Sequence, residues 1–360
     1  MNNLVVFFSF SVLVCLSHAI EVDFCVADRS LPRSPEGYAC RDPATLTTDD
    51  FVYTGFRGGR TITNVPGNNV TLAFVDQFPA LNGLGISMAR LDFGLGGVIP
   101  VHSHRTSEVL IVSRGSIIAG FIDTNNTAYY RRLEVGDVMI FPQAMLHFQV
   151  NVGTTPATAF VSLNGANPAI QFTMNSLFGD RSLPRGSQGY ACRDPATLTT
   201  DDFVYTGFRG GRTITNVPGN NVTLAFVDQF PALNGLGISM ARLDFGVGGV
   251  IPVHSHQRSE VIIVSRGSII AGFIDTNNTA YYRRLEVEDV MIFPQAILHF
   301  QVNVGTTPAT TFVSLNGANP AIQFTMNFLF GGNLPADITQ QITLLSNAEV
   351  MRMKRAFGTA

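Results

Sequence analysis

The sequence predicts an all-β protein with two similar domains in tandem, followed by a short helical segment. Three observations lead to this prediction: an internal repeat, short runs of β-forming residues between turns, and a histidine pattern that occurs once in each repeat. The chain has 360 residues, 46% of them hydrophobic, which is enough for two domains with full cores.

The internal repeat defines the domain organisation. Residues 29–180 and 181–332 align without gaps and differ at twelve of 152 positions. Such a repeat predicts two domains of the same fold. The predicted divisions are a signal peptide at 1–19, a first domain at 20–180, a second domain at 181–332 and a helical segment at 333–360.

Within each repeat the pattern is that of short strands. Runs rich in Val, Ile, Phe and Tyr occupy residues 84–93, 108–113, 116–122, 128–133, 137–141, 147–151 and 158–163. Gly, Asn and Pro separate them at the spacing typical of an antiparallel sandwich or barrel. Residues 124–126 are predicted to be a hairpin tip.

The C-terminal segment is predicted to be helical. Pro335 begins one segment, and Ser346-Asn-Ala-Glu349 resembles a capping box that opens a second. Because this tail follows only the second repeat, the two repeats differ at their ends.

The N-terminal residues indicate secretion. Residues 4–16 are apolar, and Ser17-His18-Ala19 supplies the small residues that a signal peptidase recognises. Four Asn-x-Thr sequons are therefore candidate N-glycosylation sites, at Asn69, Asn125, Asn221 and Asn277. No later apolar stretch is long enough to predict a membrane span.

Three cysteines remain after removal of the signal peptide. Cys25 and Cys40 are close in sequence and are expected to form a disulfide in an oxidising compartment, the alternative being two unpaired thiols. Cys192 is the counterpart of Cys40, but it has no partner because position 177, opposite Cys25, is leucine.

Apart from His18, every histidine belongs to one repeated pattern. It comprises His102, His104, Glu108 and His147 in the first repeat and His254, His256, Glu260 and His299 in the second. Residues 102, 104 and 108 share parity, so on an extended chain their side chains point to one face.

Three imidazoles and one carboxylate form a ligand set for a divalent transition metal. Such a set suits Mn, Fe, Zn or Cu, whereas calcium sites are rich in oxygen. The absence of nearby cysteine argues against a structural zinc site. The alternative interpretation is that these histidines lie on the surface or make ordinary hydrogen bonds.

The spacing of these residues resembles two motifs of the germin family, within the cupin superfamily. Gly96-(x5)-His102-x-His104-(x3)-Glu108-(x6)-Gly115 matches the first germin box. Gly136-(x5)-Pro142-x-Ala144-(x2)-His147-(x3)-Asn151 matches the second, with Ala144 where glycine is usual. Residues 24–28, 50–53, 77–79, 82–86 and 146–150 resemble the subgroup called auxin-binding proteins of the ABP19/ABP20 type.

This resemblance implies two cupin (jelly-roll β-barrel) domains, each with one Mn²⁺ held by the three histidines and the glutamate. It implies a glycoprotein of the plant apoplast and a homo-oligomer, here a trimer of two-barrel chains gripped by C-terminal helices. Cell-wall polymers are further candidate partners. Nucleic acid is not expected, since the net charge is −3 and no long basic run exists.

Three functions are consistent with these observations. The first is superoxide dismutation, in which the metal alternates between two oxidation states and superoxide occupies an open coordination position. The second is binding of auxin or another small carboxylate without turnover, and the third is a storage or cell-wall structural role. Oxalate oxidase is a weaker candidate: those enzymes place an Asn where this chain has Ala89 and Ala241, although Asn82 and Asn234 retain another polar position.

The two predicted sites are not expected to be equal. Gly136 is replaced by Glu288 in the second repeat, next to Asp289. If this position has a positive φ, a residue other than glycine costs about 1–2 kcal/mol there. Because the second repeat also lacks the disulfide, we expect it to lose metal first on heating.

Overall fold

The computed structural model describes residues 23–34, 37–60, 62, 67–123, 127–172, 197–214, 216, 219–331 and 334–358. The predicted signal peptide, Cys192, the Asn125 sequon and the predicted boundary between residues 180 and 181 lie outside the described residues.

The described residues are mostly β-structure, as predicted. The first repeat contains Val52–Tyr53 (β1), Asn68–Ala73 (β2), Ser87–Phe93 (β3), Val98–Ser103 (β4), Glu108–Arg114 (β5), Ile117–Ile122 (β6), Ala128–Leu133 (β7), Val138–Phe141 (β8), Leu146–Val150 (β9), Ala157–Leu163 (β10) and Gln171–Phe172 (β11). The second contains Val204–Tyr205 (β12), Asn220–Ala225 (β13), Ser239–Phe245 (β14), Val250–Ser255 (β15), Glu260–Arg266 (β16), Ile269–Ile274 (β17), Ala280–Leu285 (β18), Val290–Phe293 (β19), Leu298–Val302 (β20), Ala309–Leu315 (β21) and Gln323–Phe324 (β22).

Each repeat folds into two antiparallel sheets that enclose an apolar interior. In the first barrel, a six-stranded sheet has the order β12-β8-β5-β10-β3-β2, and a five-stranded sheet has the order β11-β4-β9-β6-β7. The second barrel repeats this with β1-β19-β16-β21-β14-β13 and β18-β17-β20-β15-β22. Strands such as β8 and β10 are buried along their whole length, because both of their faces are covered.

The first strand of each repeat pairs with the other repeat. β1 is antiparallel to β19, with Val52 opposite Met291, and β12 is antiparallel to β8, with Val204 opposite Met139. Each six-stranded sheet therefore receives its edge strand from the opposite repeat. This exchange was not visible in the sequence, because both copies carry the same strand.

Aromatic contacts and ion pairs also connect the two repeats in both directions. Phe51 packs against Phe273 of the second repeat, and Phe203 packs in the same way against Phe121 of the first. Arg57 forms an ion pair with Asp289, and Arg209 forms the equivalent pair with Asp137. The two repeats thus bury a continuous surface against each other.

The predicted disulfide between Cys25 and Cys40 is present. It closes a segment in which Ala27 bridges to Cys40 and donates its N–H to Pro79 of the same repeat. The adjacent Phe24 ring lies in edge contact with Phe273 and Tyr281 of the second repeat. The disulfide-bonded segment therefore also supports the second barrel.

The C-terminal tail is helical, as predicted, and begins slightly earlier than expected. Its helices are Thr325–Phe330 (α1), Ala336–Thr343 (α2) and Asn347–Ala356 (α3). Ser346 and Glu349 form the predicted capping box of α3. Val350 is fully buried, and Lys354 donates to the Leu334 carbonyl oxygen, so the tail packs on itself. None of the described helices is long and apolar enough to span a membrane.

The turn before β8 and its counterpart before β19 both have a positive φ, the condition on which the expected strain at position 288 depends. Gly136 has φ 87°, and Glu288, which replaces it, has φ 71°. The predicted hairpin between β6 and β7 is closed by an Asp123 N–H to Thr127 oxygen bond of 3.0 Å. Its equivalent in the second repeat exposes Asn277.

Candidate metal centre

Three imidazoles and one carboxylate converge inside each barrel. In the first, His102 on β4 lies opposite His147 on β9, and His104 directly follows β4. Glu108 begins β5 in the facing sheet. One donor atom from each of the four residues lies within 4.8 Å of all the others, and all four side chains are buried.

The second barrel repeats this arrangement. His254 lies opposite His299, and the four residues His254, His256, Glu260 and His299 meet the same limit of 4.8 Å. The ring centroids of the two cross-strand histidines are 4.1 Å apart in both barrels. The sequence pattern therefore identified two sets of residues that are close together in space.

Shared parity along the chain explains only part of this convergence. His102 and His104 do share a face along β4 and the residue after it. Residues 104–107 then form a turn between the two sheets, so the strand does not continue to Glu108. The even spacing of Glu108 from the histidines therefore does not explain where its side chain points. Glu108 faces the rings because β5 starts at that residue in the opposite sheet.

Backbone carbonyls fix the orientation of every imidazole in the first cluster. The Nδ1 atoms lie 2.7–2.9 Å from the carbonyl oxygens of Pro100, Ala169 and Met145. A carbonyl oxygen only accepts, so each Nδ1–H donates and each Nε2 is directed at the centre of the cluster. This is the tautomer in which histidine binds a metal ion. The second cluster has the equivalent three bonds.

The closest contact between donor atoms joins a histidine to the glutamate. His104 Nε2 lies 3.0 Å from a Glu108 oxygen, and His256 Nε2 lies 2.9 Å from a Glu260 oxygen. With Nδ1–H already donating elsewhere, this contact requires either a second proton on the ring or a cation between the two atoms. Metal binding at such a position displaces a proton.

The electrostatics of the cluster favour an ionised glutamate. Burial raises the pKa of Glu108, but the contacts with His104 and His147 together outweigh burial and hold the pKa below its ordinary 4.5. Burial lowers the pKa of His102 to about 4, with a further contribution from nearby His147. The corresponding value for His254 is about 3, for the same reasons. Neutral imidazole beside a carboxylate is the form that binds a metal ion.

Unpaired polar atoms show that the cluster fits a cation. His147 Nε2, His299 Nε2 and one Glu260 oxygen are buried without a hydrogen-bond partner. Such atoms are costly inside a protein unless a bound group satisfies them. Two ligands on opposite sides of an ion, each about 2.1 Å away, are about 4.2 Å apart, so the observed spread needs only a small contraction.

A small apolar cavity lies beside each cluster. In the first barrel its volume is about 40 Å³, and Leu72, Ala89, Leu91 and Ile99 line it together with His102, His104 and Glu108. The second cavity has about 30 Å³. Since one water needs about 10–15 Å³ on this measure, each cavity holds about two to four water-sized molecules.

Gln149 is a site residue that the sequence reasoning missed. It is fully buried and lines the first cavity, and neither its amide nitrogen nor its amide oxygen has a hydrogen-bond partner. It follows His147 by two residues on β9, so both side chains point inward. A polar residue two positions from a candidate ligand on a strand is the signal that would have found it.

The two positions considered for oxalate recognition have different surroundings. Ala89 lines the first cavity and Ala241 the second, so both walls are apolar there. Asn82 and Asn234 line neither cavity. The Asn82 amide instead donates to the Tyr38 carbonyl oxygen and to Cys25 Sγ, which anchors the disulfide-bonded segment.

Ala144, which stands where the germin box usually has glycine, has φ 61°, and its counterpart Ala296 has φ 63°. This conformation favours glycine. The Ala144 N–H donates to the His104 carbonyl oxygen at 3.0 Å, so the turn holds the backbone of a candidate ligand.

Comparisons with known proteins agree with this fold. A model of the cupin family matches residues 56–185 and again residues 208–351. Auxin-binding protein ABP19a of Prunus persica is 52% identical over 174 residues, which cover 48% of this chain and 83% of that protein. A germin-like protein of Morus alba is 48% identical over 194 residues, 54% of this chain and 93% of that protein.

A solved structure of oxalate decarboxylase from Bacillus subtilis, described with Mn(II) centres, superimposes with a TM-score of 0.68. The match covers 85% of this chain and 86% of that chain at 15% identity, which supports the fold alone. The chain belongs to the cupin family and, within it, to the germin-like proteins.

Proposed function

We propose that the protein is a secreted manganese-binding oxidoreductase of the superoxide dismutase type, with one ion per barrel. The observation that carries the proposal is the convergence of three carbonyl-oriented imidazoles and one ionised carboxylate beside a very small cavity. When bound, manganese supplies one-electron exchange between two oxidation states.

The ligands in this proposal are the residues of the two clusters. They are His102, His104, Glu108 and His147 in the first barrel and His254, His256, Glu260 and His299 in the second. Each set carries one negative charge, which leaves a divalent ion with excess positive charge and favours the approach of a small anion. Four protein ligands leave two positions open on an octahedral ion.

The cavity favours a substrate of two or three atoms. Its walls are mostly apolar, and the Gln149 amide offers N–H donors to a small anion. Superoxide fits the available volume without displacement of side chains. An aromatic acid requires the walls to move.

The second candidate is binding of a small carboxylate, such as auxin, without turnover. The apolar cavity walls favour it, as do the relatives named auxin-binding proteins. A storage or structural role does not require two complete, oriented ligand sets, so these sets disfavour that role. Oxalate oxidation is disfavoured because Ala89 and Ala241 provide no amide to the cavity.

One preparation distinguishes these candidates. We expect the secreted protein to contain manganese and to dismutate superoxide, and the double variant H104A/H256A to have neither property. Manganese with tight auxin binding and no turnover would favour the second candidate. A protein without transition metal would favour the structural role.

Secretion and glycosylation belong to the same proposal. Residues 1–19 are proposed to direct the chain to the apoplast, where Asn69, Asn125, Asn221 and Asn277 are candidate glycosylation sites. Asn277 is exposed in its turn, whereas Asn69 and Asn221 are half-buried on the edge strands β2 and β13. Glycan mapping of the secreted protein tests each position.

A trimer of two-barrel chains is the proposed assembly. The tail exposes Leu344, at 91%, and Ile338, which together offer an apolar surface to a neighbouring chain. Light scattering after size-exclusion chromatography is expected to give three times the mass of one chain.

A further inference from the structure

We propose that each metal-binding cluster is held in position by the opposite repeat. Arg209 of the second repeat is the positioning residue for the first cluster, and Arg57 of the first repeat is the positioning residue for the second. This inference rests on the proposed metal binding for its main readout, and it predicts effects that cross between the repeats.

A fully buried aspartate connects the repeats in each direction. Asp137 has no exposed side-chain surface, and both of its carboxylate oxygens accept hydrogen bonds from Arg209, one from Nε and one from Nη2. One oxygen also accepts the Glu134 N–H at 2.8 Å. The cation that neutralises this buried carboxylate therefore comes from the other repeat.

Asp289 has the same environment in the second barrel. Arg57 donates from Nε and Nη2 to its two oxygens, and the Glu286 N–H donates at 2.8 Å. Arg57 is 45% exposed while Asp289 is fully buried. Loss of the arginine would leave an uncompensated charge inside the protein, which is strongly destabilising.

The strand that follows the aspartate leads directly to the candidate ligands. β8 begins at Val138, next to Asp137, and ends at Phe141, which lies opposite Glu108 on β5. The Phe141 ring stacks on His147, with centroids 4.6 Å apart and an angle of 15° between the planes. The edge strand from the other repeat, β12, pairs with the other side of β8.

The second barrel has the same connection. Phe293 at the end of β19 lies opposite Glu260 and stacks on His299 at 4.6 Å. Relaxation of an unpaired Asp289 would move β19 and so shift two of the four donor groups. A mutation in the first repeat would thus change the cluster in the second.

The first repeat makes additional contacts with the turn before β19 in the second barrel. Glu288 accepts the Gly58 N–H at 3.0 Å and pairs with Arg90 of the first repeat at 2.5 Å. The equivalent position in the first barrel is Gly136, which has no side chain to do this. Loss of Arg57 is therefore expected to have a smaller effect on the second cluster than loss of Arg209 has on the first.

The test uses chains that retain a single cluster. H256A keeps the first cluster and H104A keeps the second. R57A, R209A and the conservative R209K are introduced into each, and the manganese content and the rate of metal transfer to a chelator are measured. R132A and R284A are matched controls, because Arg132 and Arg284 pair with Glu134 and Glu286 of their own repeats.

In the H256A chain, R209A is expected to accelerate metal loss on the order of tenfold, within the range typical of coupled sites. R209K should restore part of the retention, and R57A and R132A should have little effect. In the H104A chain, R57A should be the damaging variant. The inference would be overturned if each arginine variant accelerated metal loss from the cluster of its own repeat, or from both clusters equally.

Amide hydrogen exchange gives a readout that does not need metal. R209A should increase exchange in residues 138–141 and R57A in residues 290–293. If the single-cluster chains bind no manganese, the proposed function fails, and the exchange pattern still decides the coupling. Unchanged exchange in both segments would refute it.

Discussion

The two repeats have almost the same sequence, yet the structure supports them differently. The first repeat carries the disulfide, but the Phe24 ring beside it packs against Phe273 and Tyr281 of the second barrel. The second repeat carries Glu288 at φ 71°, but the carboxylate is paired with Arg90 of the first repeat. The support for each barrel therefore cannot be assigned from its own sequence.

This comparison changes the expectation that the second repeat loses metal first. That expectation rests on two local features of the second repeat, a missing disulfide and a glutamate beside Asp289. In the structure the disulfide-bonded segment contacts the second barrel, and the two carboxylates have separate cationic partners, Arg90 and Arg57. Only the backbone strain at Glu288 remains as a local disadvantage.

The largest expected difference between the repeats comes from removal of one ligand. H104A should abolish metal binding in the first barrel and leave the second loaded, and H256A should do the reverse, so each variant retains half of the manganese. Metal analysis of the purified proteins measures this. Unchanged manganese content in H104A would contradict the assignment of the cluster.

Acid should remove metal from both barrels in the same range. The pKa of His102 is lowered to about 4 by burial and that of His254 to about 3, from an ordinary value of 6.5. At these two histidines the unfolded chain binds a proton more readily, so the stability that their neutral form contributes is lost as pH falls below 6.5. The lowered pKa of Glu108 and Glu260 acts in the same direction below 4.5. Burial lowers the pKa of His104 and His256, but the paired glutamates raise it above 6.5, so these two histidines act in the opposite direction.

We therefore expect both barrels to retain metal at neutral pH, to begin losing it below about pH 6, and to have lost nearly all of it by about pH 4. Metal release measured separately in H104A and H256A should give midpoints within about one pH unit of each other. Release that increases with rising pH would contradict this account.

Removal of the disulfide should affect the whole molecule. The bonded residues are separated by 15 positions, for which C25S/C40S should lose about 3 kcal/mol of unfolding free energy. Because Phe24 packs on the second barrel, hydrogen exchange should increase in β17 and β18 as well as in the N-terminal segment. Denaturant unfolding measures the loss of unfolding free energy. If hydrogen exchange in β17 and β18 is the same in C25S/C40S as in the unmodified protein, the predicted contact with the second barrel is refuted.

The smallest expected effect is at position 288, where two variants distinguish the backbone strain from the ion pair with Arg90. E288A loses the ion pair with Arg90 and keeps a residue with positive φ, so it should be destabilised by about 1 kcal/mol. E288G loses the same pair and relieves the strain, so it should be about 1–2 kcal/mol more stable than E288A. Equal stability of the two variants would show that the turn is not strained.

The sequence predicted the elements whose signals are local. Strands β5 to β10 lie within one or two residues of the predicted runs, since Val, Ile and Phe there alternate with turn residues. The capping box at Ser346 located α3 correctly. The histidine and glutamate spacing identified both clusters, because two sheets of one barrel bring those residues together.

The parts that the sequence did not predict depend on contacts between distant residues. The exchange of β1 and β12 is invisible in a repeat, since either copy could complete either sheet. β2 has weak apolar character, because it lies at the edge of its sheet. Gln149 was missed for a different reason: its spacing of two residues from His147 on β9 predicts that it faces the interior, but a glutamine is not a usual metal ligand.

The measurement that tests the central claim most directly is the metal content of the freshly purified, secreted protein. If both clusters bind as proposed, elemental analysis gives two transition-metal ions per chain, mainly manganese, with one lost in H104A and both lost in H104A/H256A. A protein that contains no transition metal and takes up none on incubation with Mn²⁺ would contradict the account.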